Sequence, residues 1–342
     1  MRAIKNCPGT LAPGYETYNP AALRNMFDKK KVSHWLDFSN EEGRQNVIRE
    51  NIGKISISGV QEKLSAIVDN GKIRLTPNDG QGLYIIKPAP DYKRLNNRKQ
   101  MPANEHLTMQ IARQVYGIHT ADNALVFFRN GEPAYLTKRF DIDSNGNKRM
   151  QEDFASLSQK TSETNGDNYK YTGDYILAGQ LIKRFVAAWP VEIGKFYQLV
   201  IFNYLFSNGD AHLKNFSLQE SGNGDYLLSP AYDLLNTSLH IDDEDFALEG
   251  GLFDKSHYSE IYRQKGHPAL EDFITFGQLL AVPVKIQNRI VAEFSTPQKR
   301  VYELTECSFL DKKLQRMYIR SYEERLNRLK RINKKQMNGE PL

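Results

Sequence analysis

One polar stretch in the second half of the chain contains residue types that do chemistry. Asp210 and Asn215 lie five positions apart in a loop that begins at Asn208-Gly209, and the mostly apolar run 196–205 before it is typical of a buried helix. Asp233 lies eighteen positions after Asn215, at the end of a second short apolar run. The order along the chain is therefore a carboxylate, an amide and, after enough residues for a hairpin, a second carboxylate.

Phosphoryl transfer requires this combination of groups. One carboxylate orients or deprotonates the attacking hydroxyl, while an amide oxygen and a second carboxylate hold Mg²⁺ against the phosphates. Mg²⁺ prefers oxygen ligands and usually takes one or two carboxylates, with water and phosphate completing its shell. Asp210 and Asn215 also have the Asp-x-x-x-x-Asn spacing of a kinase catalytic loop. The alternative is an ordinary polar loop in which the two side chains cap turns.

A lysine and a glutamate upstream suit the same chemistry. Lys87 ends a β-type run, 82–88, and kinases neutralise the α- and β-phosphates with a lysine that points inward from a strand. Glu105 lies in the first turn of a helix predicted over 102–117 and is the candidate partner of Lys87. The alternatives are a solvated strand end for Lys87 and a carboxylate favoured by the helix N-terminus for Glu105.

A loop of small residues precedes the first predicted hairpin. Ser56, Ser58 and Gly59 lie just before a strand that turns at Asp69-Asn70-Gly71, a strong hairpin signal. Backbone N–H groups in such a loop can approach phosphates closely. Many hairpins begin with serine and glycine, so an ordinary hairpin start is the alternative.

The chain divides into three predicted parts. Residues 1–50 form an N-terminal extension with no assigned chemistry, 51–141 form a β-rich N-lobe, and 142–342 form a mainly helical C-lobe. The second boundary follows a hairpin whose polar exit, 144–147, is typical of a linker. Helices are predicted from Pro20, from Gln151, and over 174–188, 191–206, 284–294 and 312–335, with a polar loop over 162–173 and a solvated acidic run at 242–245.

Composition narrows the class of protein. The 342 residues carry a net charge of +5, which permits nucleic-acid binding without requiring it. Two cysteines cannot form a disulfide framework, and free thiols fit a reducing cytoplasm. The sequence contains no apolar run long enough to span a membrane and no signal peptide, so we expect a cytoplasmic protein without membrane contact.

Taken together, the motifs resemble the HipA family of serine/threonine kinases, the toxins of bacterial toxin–antitoxin pairs. The likeness covers roughly 52–330 and implies an α+β, bilobed, protein-kinase-like fold with a β-rich N-lobe and a mainly helical C-lobe. Its marks are 56–63, Ile85-Ile86-Lys87-Pro88, Asn104-Glu105, Arg139-Phe140-Asp141, Gln151-Glu152-Asp153, 208–216 and Ser229-Pro230-Ala231-Tyr232-Asp233.

The resemblance implies a role for each matched residue. Asp210 matches the catalytic base, and Asn215 and Asp233 match the Mg²⁺ ligands. Lys87 matches the lysine that binds the ATP phosphates. The loop serine that the family autophosphorylates to switch itself off matches Ser56 or Ser58. Further residues expected at the ATP site are Ile57, Gly59, Lys138, Arg139, Phe140, His212 and Lys214, and those expected to support it are Glu105, Gln151, Glu152 and Asp153.

The resemblance also implies partners. These are a cognate helix-turn-helix antitoxin, a protein substrate in translation such as an aminoacyl-tRNA synthetase, and DNA only indirectly through the antitoxin. The segment before the serine loop is shorter than in full-length relatives, so the N-terminal subdomain is expected as a small, separately encoded protein. Lys138 also stands where the hinge of some relatives carries an acid.

Two other functions compete with the protein kinase. Small-molecule phosphotransferases of the aminoglycoside or choline kinase type share the Asp-x-x-x-x-Asn loop, but the serine loop is not their signature. A non-catalytic, antitoxin-bound transcriptional regulator would not need the complete set of Lys87, Asp210, Asn215 and Asp233.

Overall fold

The computed structural model describes residues 4–43, 62–77, 82–143 and 145–330. The chain forms two compact units. Unit 1 comprises Met1–Arg149, Pro230–Asp242 and Lys299–Tyr318, and unit 2 comprises Met150–Ser229, Asp243–Gln298 and Ile319–Leu342.

Unit 1 contains an antiparallel sheet of five strands in the order β2-β1-β3-β5-β4. Both predicted hairpins are confirmed. The first turns at Asn70-Gly71, where both residues have positive φ, as a tight hairpin turn requires. The strands are β1 Leu64–Asp69, β2 Lys72–Leu75, β3 Tyr84–Lys87, β4 Asn123–Phe127 and β5 Pro133–Lys138.

The N-terminal segment covers one face of this sheet. Helix α1, Pro20–Phe27, begins as predicted after Asn19, whose side chain accepts a hydrogen bond from the Ala22 amide at 2.8 Å. The helix is tied to the sheet because the Tyr84 hydroxyl donates to the Met26 carbonyl at 2.8 Å. The apolar core on this face includes Tyr18, Met26, Phe27, Leu36, Leu64, Ile73, Ile86, Val126 and Leu136.

The opposite face of the sheet carries Lys87. Side chains alternate between the faces of a strand, so Lys87 points away from the core that Ile86 joins. It lies directly opposite Tyr135 in the register of β3 with β5. Helix α2, Met101–Gln114, packs against β4 and β5. Because this helix begins at Met101, Glu105 lies in its second turn rather than in the predicted first.

Unit 2 contains a three-stranded antiparallel sheet, β6-β7-β8. The strands are β6 Gln151–Asp153, β7 Ser217–Glu220 and β8 Tyr226–Leu228. The prediction that a helix opens at Gln151 was wrong by three residues. Gln151–Asp153 pair with β7 instead, and helix α3 begins at Phe154 because the Asp153 side chain caps it through the Ser156 amide at 2.9 Å.

The helix before the polar loop is buried along its second half, as the apolar run 196–205 predicts, and its exposed residues Pro190, Val191 and Lys195 lie in its first half. It spans Trp189–Leu205, and the chain leaves it through Ser207, which has a φ of 51°. The predicted polar loop at 162–173 contains a short helix and a 3₁₀ turn, Tyr169–Tyr171. The helices after α2 are α3 Phe154–Leu157, α4 Ser162–Asn165, α5 Tyr175–Phe185, α6 Trp189–Leu205, α7 Glu260–Lys265, α8 Leu270–Leu279, α9 Val284–Phe294, α10 Lys299–Cys307 and α11 Lys312–Arg328. Across the described ranges, no helix is long and apolar enough to cross a bilayer.

Candidate active site

In unit 1 a buried lysine is held between two carboxylates. Lys87 Nζ lies 2.7 Å from Glu105 Oε1 and also donates to Asp233 Oδ1. Lys87 and Glu105 are 5% and 4% exposed, whereas the Asp233 side chain is partly exposed. The ammonium also lies 5.2 Å from the centre of the Tyr135 ring, a favourable cation–π distance.

Burial and the neighbouring charges shift the pKa values of Lys87 and Glu105 in opposite directions. Burial alone would lower the pKa of Lys87, but Asp233 and Glu105 raise it above its usual value. Burial raises the pKa of Glu105, and the Lys87 ammonium opposes that rise. Removing one member of a buried ion pair leaves an uncompensated charge, so this site depends on all three groups.

Asp233 is positioned by a side chain that the sequence analysis left without a role. Asn104 pairs with the backbone of Asn236, donating to its carbonyl at 2.8 Å and accepting from its amide at 3.1 Å. Asp233 itself has a φ of 56°, a left-handed conformation that most residues adopt only when the surroundings impose it. Asn104 therefore fixes the segment that follows Asp233 to the helix that carries Glu105.

His240 completes this hydrogen-bonded clamp. Its Nδ1 lies 2.9 Å from the Asn96 carbonyl, which can only accept, and its Nε2 lies 2.8 Å from the Asn104 amide nitrogen, which can only donate. The ring is therefore neutral, with the proton on Nδ1. Burial lowers the pKa of His240, and the bond to Asn96 opposes this.

In unit 2 the loop after α6 presents Asp210. Asp210 Oδ1 accepts a hydrogen bond from the Tyr171 hydroxyl at 3.0 Å. The Asp210 carbonyl accepts from the His212 amide at 2.8 Å and from the Asn215 side-chain nitrogen at 3.0 Å. The side-chain nitrogen of Asn215 is used in this bond to the loop backbone, so its side-chain oxygen points away from the Asp210 carbonyl. That oxygen is the atom that Mg²⁺ would take, so Asn215 fits a magnesium ligand.

The base of this loop is anchored to other parts of unit 2. The Asn208 amide and side chain donate to the Asn203 carbonyl and side-chain oxygen at 2.8 and 2.9 Å. The Ser207 hydroxyl lies 2.8 Å from that of Ser321 and 3.3 Å from Arg325 Nε. At Gly209 an added Cβ would lie 2.4 Å from the Asp243 carboxyl carbon, so only glycine fits there without displacement.

The prediction of a solvated acidic run at 242–245 holds for Asp242 and Glu244, which are exposed, but it was wrong for Asp245. Asp245 accepts hydrogen bonds from Arg325 and from Arg328, the latter at 3.1 Å. Arg325 is itself buried. The basic end of α11 therefore makes ion pairs within unit 2, and Asp243 lies against the loop that carries Asp210.

The remaining predicted residues lie in varied settings. Lys138 pairs with Asp28 at 2.9 Å. Ser56, Ile57, Ser58 and Gly59 lie outside the residues that the structure describes. The other residues predicted for the site have the following neighbours: Arg139 bonds Asp141 at 2.6 Å, Phe140 packs on Tyr232 with 5.7 Å between ring centres, His212 lies 3.9 Å from Asp210, Lys214 lies 3.3 Å from Tyr169, Gln151 bonds Ser217 at 2.9 Å, and Glu152 lies opposite Leu218 in the sheet.

A transition-metal centre does not appear in the part of the chain that the structure describes, because no three His, Cys, Asp or Glu side chains there group as metal ligands. Magnesium chemistry needs no such group, since phosphate and water complete its shell. Unit 1 can thus supply a cation for phosphates and a carboxylate for a metal. Unit 2 can supply a hydrogen-bonded carboxylate and an amide oxygen.

Comparison with known proteins agrees with this chemistry. The model of the HipA-like C-terminal domain matches residues 55–301. A Haemophilus influenzae protein named "Putative kinase" is 25% identical over 337 residues, which span 94% of each chain. A Sinorhizobium fredii protein named "Putative kinase Y4dM" is 31% identical over 221 residues, or 60% of this chain and 49% of its own length.

The fold is also found in a solved structure. The chain matches one from the Shewanella oneidensis toxin–antitoxin complex of HipA, HipB and operator DNA with a TM-score of 0.58 and 21% identity, over 83% of this chain and 70% of that one. The predicted mixed α and β, kinase-like fold is thereby confirmed.

Proposed function

Because the chain belongs to the HipA-like C-terminal domain family, we propose that it is a serine/threonine protein kinase that uses ATP and Mg²⁺. Relatives named as kinases support phosphoryl transfer in general. The observation that carries the proposal is the buried Lys87 between Glu105 and Asp233, because it is the arrangement that a kinase uses to bind phosphates and metal.

Most of the groups that would bind the nucleotide belong to unit 1, and Asn215, His212 and Lys214 belong to unit 2. The Lys87 ammonium would neutralise phosphate charge, with Glu105 holding it in place. Asp233 and Asn215 would hold Mg²⁺, which when bound neutralises charge on the phosphates. We place the adenine against the backbone of 137–140, and we expect Lys138, Arg139, Phe140, His212 and Lys214 nearby.

Unit 2 has the group that would act on the acceptor. Asp210 would accept the proton of a serine or threonine hydroxyl as the hydroxyl oxygen bonds to the γ-phosphorus and the bond to ADP breaks. A carboxylate suits this step because phosphoryl transfer needs no covalent bond to the protein, and most of the catalysis comes from positioning the reacting groups. The backbone hydrogen bonds to Asp210 and its neighbours support a fixed orientation.

We further propose that the kinase is a cytoplasmic toxin. The solved relative lies in a complex with HipB and operator DNA, which supports a helix-turn-helix antitoxin as partner and DNA contact only through it. We also propose a small, separately encoded N-subdomain-like partner, a translation protein as substrate, for example an aminoacyl-tRNA synthetase, and autophosphorylation on Ser56 or Ser58.

Labelled ATP tests the proposal. The full-length chain is incubated with γ-labelled ATP, Mg²⁺ and a bacterial lysate, and the labelled serines and threonines are mapped. Asp210→Asn should slow labelling by about 10²–10⁴-fold, the usual contribution of a general base. The exposed hairpin residue Asp225 provides the matched control, Asp225→Asn, which should label normally.

Two results would contradict the proposal. One is wild-type labelling by the Asp210→Asn variant. The other is label that enters only small alcohols or aminoglycosides, which would make the chain a small-molecule phosphotransferase.

A further inference from the structure

A tyrosine from the polar segment 162–173 touches the side chain of Asp210. Tyr171 ends the 3₁₀ turn Tyr169–Tyr171, and its hydroxyl lies 3.0 Å from Asp210 Oδ1. An ionised carboxylate has no proton to donate, so the tyrosine is the donor. Both residues belong to unit 2.

The turn that carries Tyr171 is held on several sides. The Tyr171 carbonyl accepts from the Glu249 amide at 3.0 Å, and the next carbonyl, of Thr172, accepts from Lys160 Nζ at 2.6 Å. The Tyr171 ring meets the His212 ring edge-on, with centres 5.2 Å apart. The hydroxyl is therefore delivered to the carboxylate by a fixed backbone and a packed ring.

The Tyr171 hydroxyl stays a donor over the whole working pH range. Burial raises its pKa above the ordinary value, and the charge of Asp210 raises it further. An aspartate carboxylate otherwise rotates in a broad, two-fold energy profile, and a donor on one oxygen limits that rotation.

We propose that Tyr171 is a positioning residue for the catalytic base. It would orient the Asp210 carboxylate through Oδ1 as the acceptor hydroxyl arrives. This inference rests on the proposed kinase function and adds a residue to its machinery that none of the sequence motifs includes.

Tyr175, the first residue of α5, provides a matched control that bonds to the same loop. Its hydroxyl donates to the backbone carbonyl of Ala211 at 2.9 Å, one residue beyond Asp210. Tyr175→Phe and Tyr171→Phe each remove one hydroxyl that bonds to the loop, but only Tyr171→Phe removes a donor from the carboxylate. A purely structural role for Tyr171 predicts equal effects from the two changes.

The experiment measures ADP release by the full-length chain with ATP and Mg²⁺. Tyr171→Phe should lower kcat about tenfold, as expected for a hydrogen bond to a charged group, with the KM for ATP unchanged. Tyr171→Gln, which keeps a donor, should recover part of the lost kcat, and Tyr175→Phe should leave kcat near the wild-type value.

A second measurement is independent of activity. The ¹³C carboxyl signal of Asp210, assigned with Asp210→Asn, is recorded at one fixed pH in the wild type and in the Tyr171→Phe variant, and loss of the donor on Oδ1 should shift it in the variant. An unchanged signal, or an equal shift in Tyr175→Phe, would overturn the role of Tyr171 even if the chain is a kinase. A wild type without phosphoryl transfer but with the expected signal shift would instead count against the kinase.

Discussion

The buried ion pair between Lys87 and Glu105 makes a strong prediction about stability. We compare Lys87→Met, Glu105→Gln and the double variant. Lys87→Met leaves two carboxylates without their cation, and Glu105→Gln leaves Lys87 with Asp233 as its remaining partner, in a place where the Lys87 and Glu105 side chains are only 6% and 5% exposed. The double variant leaves a thioether beside a neutral amide, so the unpaired charge that remains is that of the partly exposed Asp233.

The expected magnitudes follow from burial. Removing one partner of a buried pair costs about 3–5 kcal/mol, and we expect Lys87→Met in that range because Glu105 and Asp233 then lack their cation. We expect about 3 kcal/mol for Glu105→Gln, because Asp233 still pairs with Lys87. The double variant should cost no more than Lys87→Met alone, which corresponds to a coupling energy of at least about 3 kcal/mol.

Urea unfolding in a Trp189→Phe background measures these values. Of the two tryptophans, Trp35 then remains and reports on unit 1, where its ring lies 5.4 Å from that of Phe127. Midpoints and slopes give the free energy of unfolding. A probe restricted to one unit is needed because a chain of two units need not unfold in a single step.

An exposed pair with similar geometry provides the control. Lys72 and Asp37 lie 2.9 Å apart, but their side chains are 50% and 65% exposed. Lys72→Met, Asp37→Asn and their double variant should give a coupling of about 0–1 kcal/mol. If the buried cycle gives a coupling as small as the exposed one, the reasoning from burial is refuted.

Further predictions concern the loop at Asp210 and one buried histidine. Gly209→Ala should reduce phosphoryl transfer by less than about tenfold, because the new Cβ would lie 2.4 Å from the Asp243 carboxyl carbon and this end of the side chain can rotate away. Gly222→Ala, with nothing within 4 Å, should retain the wild-type rate, and a loss of about 10²-fold or more in Gly209→Ala alone would contradict this account. Burial lowers the pKa of His106 to about 3, below the unfolded value of about 6.5, so its stabilising effect is present above pH 6.5 and is lost as the pH falls toward 3. His106→Gln should therefore flatten the decline of stability with acid by up to about 1.4 kcal/mol per pH unit in urea titrations, and parallel pH curves would show that the ring takes up its proton without cost.

Local sequence signals predicted the first hairpin and the helix Val284–Phe294. The Asn70-Gly71 turn fixed the first hairpin because few residues accept its positive φ angles. The amphipathic run Val284–Phe294 is a helix with those bounds, since proline precedes it and its apolar face has helical spacing. Such features depend on residues close in sequence, so they are readable without the fold.

Features built from distant residues could not be predicted in this way. Tyr171 lies in a segment without apolar periodicity, and only the fold brings it to Asp210. Asp245 belongs to a run of acids that the sequence alone cannot distinguish from a solvated loop. Its partners, Arg325 and Arg328, are eighty or more positions away. Gln151–Asp153 became a strand because β7 supplies a neighbouring edge, which no local pattern encodes.

The neighbouring residues Asn104 and Glu105 position two different parts of the site around Lys87. Successive residues of an α-helix point about 100° apart, so these neighbours face different structures. Glu105 reaches Lys87 on β3, while Asn104 holds the segment that follows Asp233. One turn of α2 thus sets the position of both carboxylates that contact the lysine. An insertion between the two residues would rotate one of them by about 100° around the helix and away from its partner. A conservative change at either residue would weaken only the contact of that residue. The site therefore requires that the two residues be adjacent, as well as being asparagine and glutamate.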